Sequence, residues 1–304
     1  MSRVYYKKIV EGESIPAIIR NFNYHLISMP VYEDGSISCW ERISFQELKE
    51  KLDKKWLVTE IPDGEQLSVF QLGYFEILRG EWNFTPDSFT EYVSGLIKKM
   101  NPEMKGLFEE GRTKKEQWER ERVSWSATGV EYKLKSNFGH DIMDGASTSL
   151  FYQYMDRLWL TKLAVYPDGT IQIEALEDVT CTLDDVRKMF ADRILTTTCK
   201  ASEWVELGAL GRVQVKPGGL VKSKDKLKEI EEMYREVTGE ETLYRKCQSL
   251  YFEYLSDPSD YLREELRKAY EAVPEHERCF LGNMDIKDFD YRRIIYSPDE
   301  KREV

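Results

Sequence analysis

Val31-Tyr32-Glu33-Asp34-Gly35-Ser36-Ile37 is echoed by Val165-Tyr166-Pro167-Asp168-Gly169-Thr170-Ile171, with five of the seven positions identical. Each stretch carries apolar residues around an Asp-Gly pair, the signature of a tight hairpin, because glycine reaches positive φ without a Cβ clash. The echo widens at an offset of 138 residues. Ser44 to Leu52 answers Thr182 to Phe190, Val69 to Ile77 answers Leu207 to Val215, and Thr85-Pro86-Asp87-Ser88-Phe89 falls on Ser223-Lys224-Asp225-Lys226-Leu227. Upstream, Val4-Tyr5-Tyr6-Lys7 resembles Val130-Glu131-Tyr132-Lys133. Two copies of so long a unit point to a duplicated domain and away from a solenoid, whose period is about 20–50 residues.

Each copy reads as strand, turn, strand, helix, strand pair, helix. Ile37 and Cys39, like Ile171 and Ile173, alternate with polar neighbours as in a half-buried strand. Pro30 places its strand at an edge or a bulge. Ser44 with Glu47, and Thr182 with Asp185, have the spacing of helix capping boxes. Gly73 and its counterpart Gly211 suggest bulges. Thr85 caps a helix that begins at Pro86, and its copy starts after Ser223. Past the second copy, Leu243 to Leu255 and a segment opened by Asp257-Pro258 have helical spacing until Pro274. Lys105 to Arg122, with eleven charged residues, reads as a solvated helix or connector. The expected fold is α+β: a duplicated strand-turn-strand-helix-strand-strand-helix unit with a helical C-terminal part. The expected domains are a first unit with its connector at 1–125, a second unit at 126–240 and an acidic helical segment at 241–304.

With 41% apolar and 12% aromatic residues over 304 positions, the chain has ample core material. There is no apolar run of membrane-spanning length, and Met1 to Lys8 is too polar for a signal peptide. Cys39, Cys181, Cys199, Cys247 and Cys279 are odd in number and widely spaced, which fits buried free thiols and a cytoplasmic location. Net charge is −11, and residues 231–304, with 12 basic and 19 acidic side chains, contribute −7 of it. This balance argues against nucleic acid and anionic membranes as partners and allows a basic protein partner.

Chemistry-bearing patterns are sparse. His140-Asp141, followed by Asp144-Gly145, pairs an imidazole with carboxylates but lacks a nucleophile at a diagnostic spacing. His25 reads as a satisfied strand residue, and His276 with Cys279 as a helix-end turn, since catalytic Cys/His pairs are usually assembled from distant segments. Asp285, Asp288 and Asp290 do not meet the calcium-loop pattern. Phosphate-binding glycine loops, the Gly-x-Ser-x-Gly elbow and the H-E-x-x-H motif are missing. The expectation is no catalytic residue, no metal and no cofactor, with Asp285, Asp288 and Asp290 as a partner-binding cluster.

The pattern V-Y-x-D-G-[ST]-I, a capped short helix and an apolar strand pair, over residues 25–100 and 157–235, resembles small bacterial domains of uncharacterised function and of the immunity- or defence-associated type. The resembling motifs are turn and core residues that specify the fold; acidity, a duplicated scaffold and the lack of a convergent polar motif point to a non-catalytic cytoplasmic interaction protein, such as an immunity-type inhibitor of a basic toxin. The alternatives are a hydrolase or nucleotide-processing enzyme, or a small-ligand sensor, with its site between the two copies.

Overall fold

Both Asp-Gly turns close in the same way in the computed structural model, which describes residues 8–108, 130–134, 145–176, 179–200, 203–216, 221–282 and 287–300. Tyr32 N donates to Ser36 O and Gly35 N to Tyr32 O; Tyr166 N donates to Thr170 O and Gly169 N to Tyr166 O. The glycines sit at φ 76° and 82°. Asp34 Oδ1 accepts from Ser36 N at 3.0 Å, and Asp168 Oδ1 from Thr170 N at 2.9 Å, so the aspartates fix the turns that the glycines permit.

In chain order the first copy contains β1 (Lys8–Asn21), β2 (Asn23–Tyr32), β3 (Ile37–Cys39), β4 (Glu41–Ile43), α1 (Phe45–Asp53), β5 (Leu57–Val58), β6 (Gln66–Val69), β7 (Gly73–Trp82) and α2 (Pro86–Met100). After β8 (Val130–Leu134), the second copy contains β9 (Ala146–Tyr154), β10 (Arg157–Val165), β11 (Ile171–Ile173), β12 (Thr180–Cys181), α3 (Leu183–Ala191), β13 (Leu195–Thr196), β14 (Trp204–Glu206), β15 (Gly211–Val215) and α4 (Ser223–Thr238). The C-terminal helices are α5 (Leu243–Ser256), α6 (Asp260–Ala272) and α7 (Phe289–Tyr296). The fold is α+β with a helical C-terminal part.

Strand registers identify equivalent residues. In the first copy Ile18 and Ile19 of β1 pair with Val58 and Leu57; in the second, Phe151 and Tyr152 of β9 pair with Thr196 and Leu195. Tyr24 of β2 lies parallel to Leu67 of β6, as Leu158 of β10 does to Val205 of β14. Ser44 and Thr182 both form complete capping boxes, with Glu47 and Asp185 reaching back to the cap amides.

The described residues divide into two compact units, drawn from residues 1–142, 154–160 and 199–218, and from 143–153, 161–198 and 219–304. The first unit takes in β8, parallel to β1, and the β14–β15 hairpin, whose β15 runs antiparallel to β7 with Gly211 opposite Trp82. A Cβ on Gly211 would lie 2.2 Å from Glu81 O. Gly73 and Gly211, at φ 129° and 122°, both open strands, Gly211 at a close approach, and the register shift lies between Gln214 and Val215 instead. Pro30 is tolerated in β2, whose pairing with β6 covers only Tyr24 to Leu26. Ile18, Ile19, Val31, Leu48, Phe89 and Val93 belong to the first unit's buried apolar core.

In the second unit, Cys247, Leu266, Tyr270, Tyr291 and Ile294 belong to a core shared by α5, α6 and α7, with Tyr251 stacked on Tyr291 at 4.3 Å. Thr242 caps α5 and Ser259 caps α6, so α6 starts after Pro258 and not at Asp257. Helix α4 is N-capped by Lys222 without a side-chain hydrogen bond, and Ser223 is its first helical residue. Of the connector Lys105 to Arg122, residues 105–108 are described and the remainder lies outside the described residues.

Candidate functional site

The capping residues Thr85 and Lys222 set α2 and α4 at an offset of 137, one less than the preceding elements. Burial confirms the slip, because the stripe Phe89 and Val93 of α2 corresponds to Lys226 and Ile230 of α4. The expected match of Phe89 to Leu227 is thus corrected by one residue, since Leu227 is only half-buried. Where the first copy buries Phe89, the second buries a lysine with no exposed surface. By the same correspondence Tyr92 becomes Glu229, and by the β1/β9 register Ile15 becomes Thr148. Three apolar or aromatic positions have become a charged network.

The network is closed by a turn that has no counterpart in the first copy. Lys226 Nζ donates to Thr148 Oγ1 at 2.9 Å and to Glu229 at 2.8 Å. Thr148 Oγ1 donates to Glu229 Oε1 at 2.5 Å. From the turn after α6, where Pro274 ends the helix, His276 Nε2 meets Glu229 Oε2 at 2.7 Å. Glu277 brings a carboxylate oxygen within 4.8 Å of the His276 and Glu229 ligand atoms. Glu229 is only 4% exposed and His276 21%. Beside His276 lies a recess of about 280 Å³, lined by Val221, Lys222, Asp225, Glu275 and His276.

Burial raises the Glu229 carboxyl, but hydrogen bonds from His276, Lys226 and Thr148 outweigh it and hold the group below its ordinary range. Burial pulls the Lys226 ammonium down while the Glu229 charge opposes the shift. Glu277 moves the other way: burial and then the Glu229 charge push it up. Its side chain makes no hydrogen bond or ion pair among the described residues, and His276 and the Lys226 charge offset the upward push only in part. Nearby, the Glu232 carboxylate accepts from Arg235 and from the Leu243 amide, tying α4 to the start of α5.

The residues singled out by sequence are dispersed. His140, Asp141, Asp144 and Asp285 lie outside the described residues. Asp288 accepts from the Tyr270 hydroxyl at 2.6 Å, and Asp290 lies 3.6 Å from Arg293, so both are engaged within the helical core's rim. His25 is in β2, its ring edge against Trp40 at 5.2 Å. Cys279 donates toward the His276 carbonyl at 3.5 Å, not toward its ring. Cys39, Cys181, Cys199 and Cys247 are buried, and burial pushes the Cys247 thiol up to about 12. Lys226 and Glu229 escaped sequence reading, although a lysine on the apolar stripe of α4 was their signal.

These features define a duplicated α+β protein with an appended helical module. The chain belongs to the family described as domain of unknown function DUF7638, matched over residues 1–104 and 133–241, and residues 242–303 match a second one, domain of unknown function DUF7639. No curated protein and no solved structure matches the chain. Among the described residues no helix is long and apolar enough to cross a membrane.

Proposed function

We propose that this is a non-catalytic protein-binding protein, and that the first copy carries the binding surface. The observation behind this reading is an aromatic shelf in the first unit. Phe22, at the tip of the β1–β2 hairpin, is fully exposed, and Trp40, between β3 and β4, is 57% exposed. Trp40 is flanked by His25 and by Trp56, whose ring centroid lies 6.1 Å away with Lys51 placed over it at 3.8 Å. Exposed tryptophan and phenylalanine cost solubility, and such residues concentrate at the anchoring centres of protein interfaces. The counterpart of Trp56 at offset 138 is Ile194, so the shelf belongs to one copy.

The net charge of −11 favours a basic partner, and inhibition of a basic toxin by an immunity-type protein is the concrete form of this reading. The test is cross-linking of the full chain and of the F22S/W40A variant in source cells, then reconstitution with the purified partner. The expected result is a single basic protein whose affinity falls at least about tenfold in the variant, in line with anchor truncation. Equal retention by the variant, or enzymatic turnover by the protein alone, would overturn the reading.

A further inference from the structure

We propose that Glu229, His276 and Glu277 form a divalent transition-metal site of the zinc type. The three ligand atoms lie within 4.8 Å of one another. Bound tetrahedrally to one ion at about 2.0–2.2 Å, such atoms would stand about 3.3–3.6 Å apart. The His276–Glu229 contact of 2.7 Å must therefore open slightly while Glu277 closes in.

Imidazole nitrogen with two carboxylates suits zinc or cobalt better than magnesium or calcium, which prefer all-oxygen shells. The surroundings match what a metal carboxylate needs. Thr148 and Lys226 donate to Glu229 Oε1, and Lys226 Nζ also stands 2.8 Å from Oε2, the oxygen that faces His276. Such outer hydrogen bonds orient a ligating carboxylate. Lys226 touches Glu229 from the α4 side, and the turn carrying His276 and Glu277 approaches it separately. A bound ion would fasten the 275–277 turn, part of the C-terminal module, onto helix α4.

The test uses the full chain, stripped with a chelator and titrated with cobalt(II) alone and then zinc(II). The expected result is one equivalent of cobalt per chain with the intense visible bands of a low-coordinate nitrogen/oxygen site, displacement by zinc, and a rise in melting temperature. H276A and E277Q should each weaken binding by about a hundredfold, a ligand costing at least as much as the 10- to 100-fold of an outer-shell partner. C279S should bind as the parent does. E277Q neutralises a carboxylate that makes no internal hydrogen bonds, so it keeps the metal-free fold and stays informative if H276A unfolds. Absence of stoichiometric cobalt, retention of binding by folded E277Q, or a sulfur-to-cobalt charge-transfer band lost in C279S would each overturn the assignment.

Discussion

At the scale of single residues, Lys226 is the least expected feature, because an ammonium has replaced the phenyl ring of Phe89 at a fully buried helix position. A buried pair is rarely a net gain over apolar packing, but removing one member strands the other charge at a cost of about 3–5 kcal/mol. Lys226→Met should therefore destabilise the protein by about that amount in denaturant titration. Adding Glu229→Leu should recover a large part of the loss, and failure to recover would show that Glu229 is held by His276 and Thr148 alone. The two glutamates have opposite pH signatures. Glu229, held low, contributes stability that is present above its unfolded pKa and lost as pH falls through the folded value. Glu277, pushed up, contributes stability that is present below its unfolded pKa and lost as pH rises through the folded value. In chelated protein, Glu277→Gln should accordingly melt higher than the parent at neutral pH. The two curves should converge below about pH 4, where the free carboxyl is protonated.

At the scale of elements, much was legible because local chemistry decides it. The Asp-Gly turns, both capping boxes, the stop at Pro274 and the duplication itself follow from residues within a few positions of one another. What failed did so where spacing depends on partners far along the chain. The offset between copies is 133 in the first strand, judging by Ile19 and Tyr152, and 137 in the last helix, and loops absorb each change without leaving a local mark. That slip hid the Lys226–Glu229 pair. His276 was equally opaque, because its partner Glu229 is 47 positions away. The bulge expected at Gly211 was misread for a related reason, since the carbonyl of Glu81 that excludes a side chain there comes from a distant strand. Gly211→Ala should therefore be more damaging than Gly239→Ala. Gly239 caps α4 at φ 81° with open space around it, so alanine there should cost about 1 kcal/mol of backbone strain. At Gly211 the β7 and β15 backbones must also separate, which faster amide exchange at Arg212 and Val213 would report.

At the scale of the whole molecule, the C-terminal acidity expected to form a free surface is partly spent on internal work. Glu232 joins two helices, Asp288 holds Tyr270, and Glu229 and Glu277 meet at the network. Removing residues 242–304 deletes both His276 and Glu277, leaving Lys226 and Glu229 without the turn that covers them. The shortened chain should melt lower than the parent, and a further Lys226→Phe/Glu229→Tyr exchange, restoring the side chains of the first copy, should raise its melting temperature again.

The pairing of β7 with β15 sets a timetable for synthesis. When residue 108 leaves the ribosome, every strand of the first copy exists, yet the outer edge of β7 has no neighbour until Gly211–Val215 emerges. At about 5–20 residues per second, that interval is on the order of ten seconds. Throughout it, a ten-residue strand presents unpaired amides and carbonyls, the situation in which nascent sheets associate with one another. Ribosome-bound chains stalled beyond residue 108 should remain sensitive to protease across Gly73–Trp82, and chains stalled beyond residue 218 should be protected there.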